Sequence, residues 1–155
     1  MVRRGYMQRA VDIREPIDTF LIVCEGKKTE PNYFKKFPVP SAFIDVVGAG
    51  CNTISVVNRA IELRDKKKYD QVWCVFDRDS FPVDHFNSAL QLAKNQKIEV
   101  AYSNEAFELW YILHFRYVTS AMARSSYTKI LDKEINRKYT KNSMDMYDIL
   151  LNYQG

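Results

Sequence analysis

Residues 19–34 read TFLIVCEGKKTEPNYF. The segment Thr19-Phe-Leu-Ile-Val-Cys24 is a continuous apolar run. Alternation would mark a strand with one wet face. An unbroken run marks a strand covered on both faces, as in a parallel sheet. The run stops at Glu25-Gly26, and a helix is predicted to follow. Thr29 can cap it, Glu30 and Pro31 suit its first turn, and Tyr33, Phe34 and Phe37 form its apolar side.

The same unit recurs along the chain. Pro38 and Pro40 break it, and Ala42–Val47 reads as a second strand ended by Gly48 and Gly50. Asn52 or Thr53 can cap a second helix, with Ile54, Val57, Ile61 and Leu63 facing inward. Its end at Lys66-Lys67-Lys68 complements the negative end of the helix dipole. Gln71–Phe76 is a third apolar strand, closed by Asp77-Arg78-Asp79. Pro82 opens a helix with Phe86, Leu90 and Leu92 on its apolar side. Lys97–Tyr102 is a fourth strand, and Ser103 or Asn104 can cap an aromatic-rich element, Glu105–Phe115. Further helices are predicted over Tyr127–Arg137 and from near Ser143. The last runs off the end unfinished, which leaves open whether the natural chain extends past Gly155.

Strands alternating with helices give an α/β fold, a Rossmann-like, mostly parallel sheet flanked by helices, with extra C-terminal helices. Residues 1–155 read as a single domain, with 1–17 a flexible arm and 116–155 a helical extension.

Composition narrows the class. No apolar run approaches the roughly 20 residues that cross a bilayer, so no membrane partner is expected. The arm MVRRGYMQRAVDIREP lacks the apolar core of a secretory signal. The three cysteines, Cys24, Cys51 and Cys74, form no CxxC pair, and two of them sit in apolar strands. That argues against structural zinc and for a reduced, cytoplasmic protein. The net charge of +4 permits a nucleic-acid partner without requiring one.

In open α/β sheets, ligands gather at the carboxyl ends of the strands. Here Glu25 follows the first strand, and Asp77 and Asp79 follow the third. If those strands are neighbours, three carboxylates converge. Crowded like charges call for a cation, and hard oxygen donors suit Mg²⁺ or Mn²⁺. Such an ion can polarise a phosphodiester and activate a water. A second reading of Asp79 stands beside this one, as the cap of the helix near Pro82.

The strings EGKKTEPNYF (25–34), VFDRD (75–79) and SNEAFELWYILHF (103–115) resemble the RloB-like family of the Toprim superfamily. The resemblance runs from Phe20 to Phe115 and more weakly to the end. It implies a Toprim-like fold, a Glu after the first strand and an Asp-x-Asp after the third. Glu25, Asp77 and Asp79 match these positions. It also implies a Mg²⁺-dependent hydrolase, a nuclease acting on RNA or DNA, in bacterial antiviral defence linked to restriction-modification loci. In that reading Asp77 and Asp79 hold the metal, and Glu25 is a general base or a ligand of a second ion. Gly26 lets backbone approach a phosphate, and Lys27 or Lys28 contacts it. Thr29 is read as a helix cap rather than a substrate contact.

Glu108 is either a further acid of the site or an exposed first-turn Glu. Phe107 and Trp110 are read as core rather than base-stacking platforms, and His114 as a packed core residue. A Toprim domain also leaves room for a partner protein or a homodimer. Two other functions compete: a non-catalytic nucleic-acid-binding or assembly module, and an Asp-dependent phosphatase. The latter places Asp-x-Asp after its first strand and leaves Glu25 without a role.

Overall fold

The computed structural model describes residues 17–79 and 82–153. The arm read over residues 1–17 lies, except for Ile17, outside them. Four strands form one sheet in the order β2-β1-β3-β4: β1 Asp18–Cys24, β2 Ala42–Gly48, β3 Gln71–Arg78 and β4 Glu99–Asn104. All pairings are parallel. Helices α1 Thr29–Phe34, α2 Thr53–Lys66 and α3 Val83–Asn95 link them, and α4 Glu108–Leu113, α5 Arg124–Glu134 and α6 Met146–Leu151 follow. This is the expected α/β, Rossmann-like arrangement.

The unbroken apolar runs do lie at the centre. In β1, Leu21, Val23 and Cys24 are buried, and in β3, Val72, Cys74, Val75 and Phe76 are buried. The edge strands are wetter, and Phe43 of β2 and Tyr102 of β4 are about half exposed. Two apolar clusters cover the sheet's faces. One joins Leu21, Val23, Cys74 and Phe76 to Val56, Val57 and Ala60 of α2 and to Ala89 and Ala93 of α3. The other joins Cys24 and Val75 to Tyr33, Phe107, Tyr111, Ile112, Tyr127, Leu131, Tyr139, Met146 and Leu150. The C-terminal helices are thus half of that second core.

Several local expectations are corrected. Thr29 does not cap α1. Lys28 holds that position with no side-chain cap, and Thr29 Oγ1 instead donates to Asn142 Oδ1 at 2.8 Å. A tertiary partner outcompetes the local one. Asn52 does cap α2, accepting from Ser55 N at 3.1 Å. Neither Ser103 nor Asn104 caps α4, which starts at Glu108 after Glu105 takes a left-handed turn at φ 63°. β4 starts two residues late because Lys97 turns at φ 55° and Ile98 N still bonds Ala93 O of α3. α5 starts at Arg124, three residues before the predicted Tyr127. The last helix does not run off the chain: it closes at Leu151, with Asn152 as C-cap. Phe107 is core, whereas Trp110 is 45% exposed and only edges the core. His114 is half-buried, its Nδ1 bonded to Trp110 O.

Candidate active site

The strand order reverses direction between β1 and β3, because the chain steps from β1 to β2 on one side and reaches β3 on the other. At such a switch point the loops leaving the two strands part and open a crevice. Glu25 and Asp77 meet there. Glu25 N donates to Val75 O at 2.8 Å, extending the β1–β3 ladder by one rung. Its side chain makes the next rung, with Oε2 accepting from Asp77 N at 3.0 Å.

The crevice gathers more acids than the sequence reading placed there. Glu30, on the first turn of α1, is 5% exposed, and its Oε1 accepts from Gly26 N at 3.3 Å. Glu108, which opens α4, is 8% exposed and accepts from Tyr139 OH at 3.1 Å. Its alternative reading as an exposed acid does not hold. Thr29, Glu30 and Glu108 are the buried polar residues among the described positions, and all three line one cleft of about 190 Å³. A second cleft of about 160 Å³, lined by Arg124, Thr128 and Tyr139, shares Glu108 and Lys141 with the first. A larger concavity of about 460 Å³ lies at the amino ends of β3 and β4. Its Asp70 is engaged by Thr19 N and Oγ1.

Crowding shows in the electrostatics. Burial pushes the Asp77 carboxyl up to about 8, and the Glu30, Glu25 and Glu108 charges add to the rise. Arg124 opposes it, with Nη2 3.4 Å from Asp77 Oδ2. Burial also raises Glu25, the Asp77 amide opposes that, and Asp79 and Glu30 raise it further. Asp79 is therefore close enough to Glu25 to be felt. Burial raises Tyr139, with Glu108 adding to it, so the phenol stays a protonated donor. Burial lifts the Cys24 thiol far above its ordinary value, which leaves it inert as a nucleophile.

The carboxylates are the hard oxygen donors that Mg²⁺ or Mn²⁺ takes, so the residue types fit such an ion. Their grouping is looser: among the described residues no three His, Cys, Asp or Glu are gathered to hold a metal. Arg124 supplies a positive partner to Asp77 instead.

The glycine loop has a structural task. A Cβ on Gly26 would collide with the Glu30 carboxylate, so its bare Cα faces an acid of this chain. Lys27 and Lys28 are exposed on the same loop, and the Lys27 stem lies along Gly50, itself at φ 61°. A Cβ on Gly48 would lie 2.7 Å from Gly26 O and 2.8 Å from Lys27 Cα, both backbone atoms. Gly48→Ala is therefore expected to push the Glu25–Lys27 loop off β2. Overpacking of this kind costs about 1–3 kcal/mol, read as a lowered melting temperature. A variant that melts with the wild type would show that the loop yields freely.

Glu30, Arg124, Tyr139 and Lys141 are polar residues of the crevice that went unread. The acid of EGKKTE looked like a first-turn residue favoured by the helix dipole, and only the fold-back at Gly26 aims it inward. Arg124 and Tyr139 carry no local signal, since their partners lie 47 and 31 residues away.

Fold and crevice define an α/β protein with an acidic crevice at the switch point of a parallel sheet. The family model described as RloB-like protein matches residues 20–153. The chain belongs to the RloB-like family. The match takes in the C-terminal helices that complete the crevice. Comparison with curated proteins and with solved structures gave no match.

Proposed function

We propose that this protein is a metal-dependent phosphodiesterase of Toprim type, a nuclease of bacterial antiviral defence linked to restriction-modification. The observation that carries the reading is the Glu25–Asp77 junction at the switch point, ringed by Glu30 and Glu108. Glu25, Asp77 and Asp79 are the residues that would hold Mg²⁺ or Mn²⁺. Such an ion supplies Lewis-acid polarisation of the phosphodiester and a more acidic water. The chain's own groups do the rest. Glu25, with its raised carboxyl, is suited to take a proton from an attacking water. Glu108, held by Tyr139, adds negative charge that favours a cation over the carboxylates. Lys27 and Lys28 lie where they can meet the nucleic-acid backbone, and Gly26 keeps the loop tight behind them. Action in the cytoplasm, and a partner protein or a second copy of the chain to extend the substrate surface, belong to the same proposal. Among the described residues no helix is long and apolar enough to cross a membrane.

The loose grouping of the carboxylates favours one alternative, a binding or assembly module without turnover. Labelled single-stranded and duplex DNA and RNA, incubated with Mg²⁺ or Mn²⁺, separate the two. The nuclease reading expects products with metal and none in EDTA. If neither ion yields products or shifts the melting temperature, the binding module stands.

A further inference from the structure

The C-terminal segment brings two cations to the acidic crevice. Arg124, at the start of α5, donates Nε to Glu105 O at 2.9 Å and Nη2 to the same carbonyl, and it faces Asp77 at 3.4 Å. The carbonyl fixes the guanidinium at the mouth of the crevice, while the side chain stays half exposed. Lys141, exposed, lines both clefts beside Glu108 and shares the smaller one with Arg124. Its charge draws the Glu30 carboxyl down, and Arg124 does the same to Glu25 and Asp77. Each cation is therefore close to the carboxylates without being buried with them.

Arg124 meets Asp77 through Nη2 alone while Nε stays on Glu105 O, and a guanidinium N–H that meets a carboxylate oxygen also meets a phosphate oxygen. A long, half-exposed ion pair is weak and readily exchanged. An anion lying over four carboxylates needs positive groups on its outer side, and Arg124 and Lys141 stand there.

We propose that Arg124 and Lys141 form a phosphate clamp, which grips the sugar-phosphate backbone of a nucleic-acid strand at the cleft that both share with Glu108. The clamp rests on the reading of the crevice as a phosphodiester site and names its substrate grip. Arg124 neutralises Asp77 in the free protein and passes to the phosphate when a strand enters. Tyr139 and Thr128 form the polar floor between the two cations. Backbone contacts position a strand without reading its bases, so binding depends on salt rather than sequence.

The test is binding, read by fluorescence anisotropy with short labelled single strands of DNA and of RNA. Ca²⁺ replaces Mg²⁺, because it takes the same oxygen ligands. Arg124→Ala and Lys141→Ala are each expected to weaken binding about tenfold. Each is also expected to lower the slope of log affinity against log salt by about 0.7, the loss of one phosphate contact to a single strand. Arg124→Lys keeps the charge but not the fork and should fall between. Lys66→Ala, in the last turn of α2 on the side of the strands' amino ends, should bind as the wild type does. The DNA and RNA arms show which backbone is preferred. Unchanged affinity and salt slope in both alanine variants would overturn the clamp while leaving the nuclease reading intact. Binding weakened by both alanine substitutions, together with a wild type that cuts neither strand, would support the clamp and sink the nuclease reading. No binding of either strand by the wild type would sink both. Should Arg124→Ala unfold through loss of its Glu105 tie, the exposed Lys141 decides.

Discussion

Replacing Asp77 by asparagine is expected to abolish cleavage and, at the same time, to make the metal-free protein harder to melt. The first effect follows from the proposed reading, in which Asp77 is a charged ligand at the reacting centre. Several kcal/mol of transition-state stabilisation are at stake, and about 4 kcal/mol corresponds to a roughly thousandfold slower rate. The second follows from the environment of the carboxyl. Its folded value of about 8 lies above the ordinary 3.8. The folded chain thus holds that proton more tightly than the unfolded chain does. The resulting stability is fully present below about pH 4 and is lost as pH rises through about 8. Asparagine carries no charge at any pH and escapes the loss. Asp77 is partly reached by solvent and faces Arg124, so the gain is discounted to about 1–3 kcal/mol near pH 8, or roughly 3–10 °C at this length. Melting in EDTA from pH 5 to 9, for both proteins, measures it. A difference that does not widen with pH would show that Asp77 is not the strained acid described.

Leu131→Ala is expected to be the most damaging of the simple core truncations in the C-terminal helices. Leu131 is fully buried in α5, within the cluster that joins Cys24 of β1 and Val75 of β3 to α4, α5 and α6. Loss of such a leucine costs about 2–5 kcal/mol through transfer and cavity terms. At this length that lowers the melting temperature by about 10 °C. The other cluster, between the sheet and α2 and α3, is untouched. Limited proteolysis should therefore find cleavage first in the C-terminal segment, where local opening has become easiest. Uniform loss of protection across the chain would show that the two clusters melt as one.

The contrast between these residues explains what could be read beforehand. Asp77 was legible because a strand announces itself in an unbroken run of apolar side chains, and the next acid must lie at its end. Glu25 was legible for the same reason. That β1 and β3 are neighbours was a condition, which the sheet order satisfies. Glu108 was left between two readings, because burial of a first-turn acid depends on what packs over it. Here that is Tyr139, from 31 residues later. Thr29 was misread because helix capping is a local rule, and Asn142 lies 113 residues on. Helix ends shifted for similar reasons: left-handed turns at Lys97 and Glu105 carry no glycine to announce them. Pattern reveals what repeats along the chain. It is silent on pairings that only the closed fold creates.

Chain order also sets an order of assembly. Glu25, Glu30 and Asp77 leave the ribosome early, in the half that builds β1 to β3. Arg124, Tyr139 and Lys141 leave later. A domain generally folds as a unit, so its packing waits for the segments that complete its core. A nascent chain thus carries its acids for a time with neither the phenol that holds Glu108 nor the guanidinium that faces Asp77. Translation timing keeps the crevice unfinished until α5 and α6 have docked.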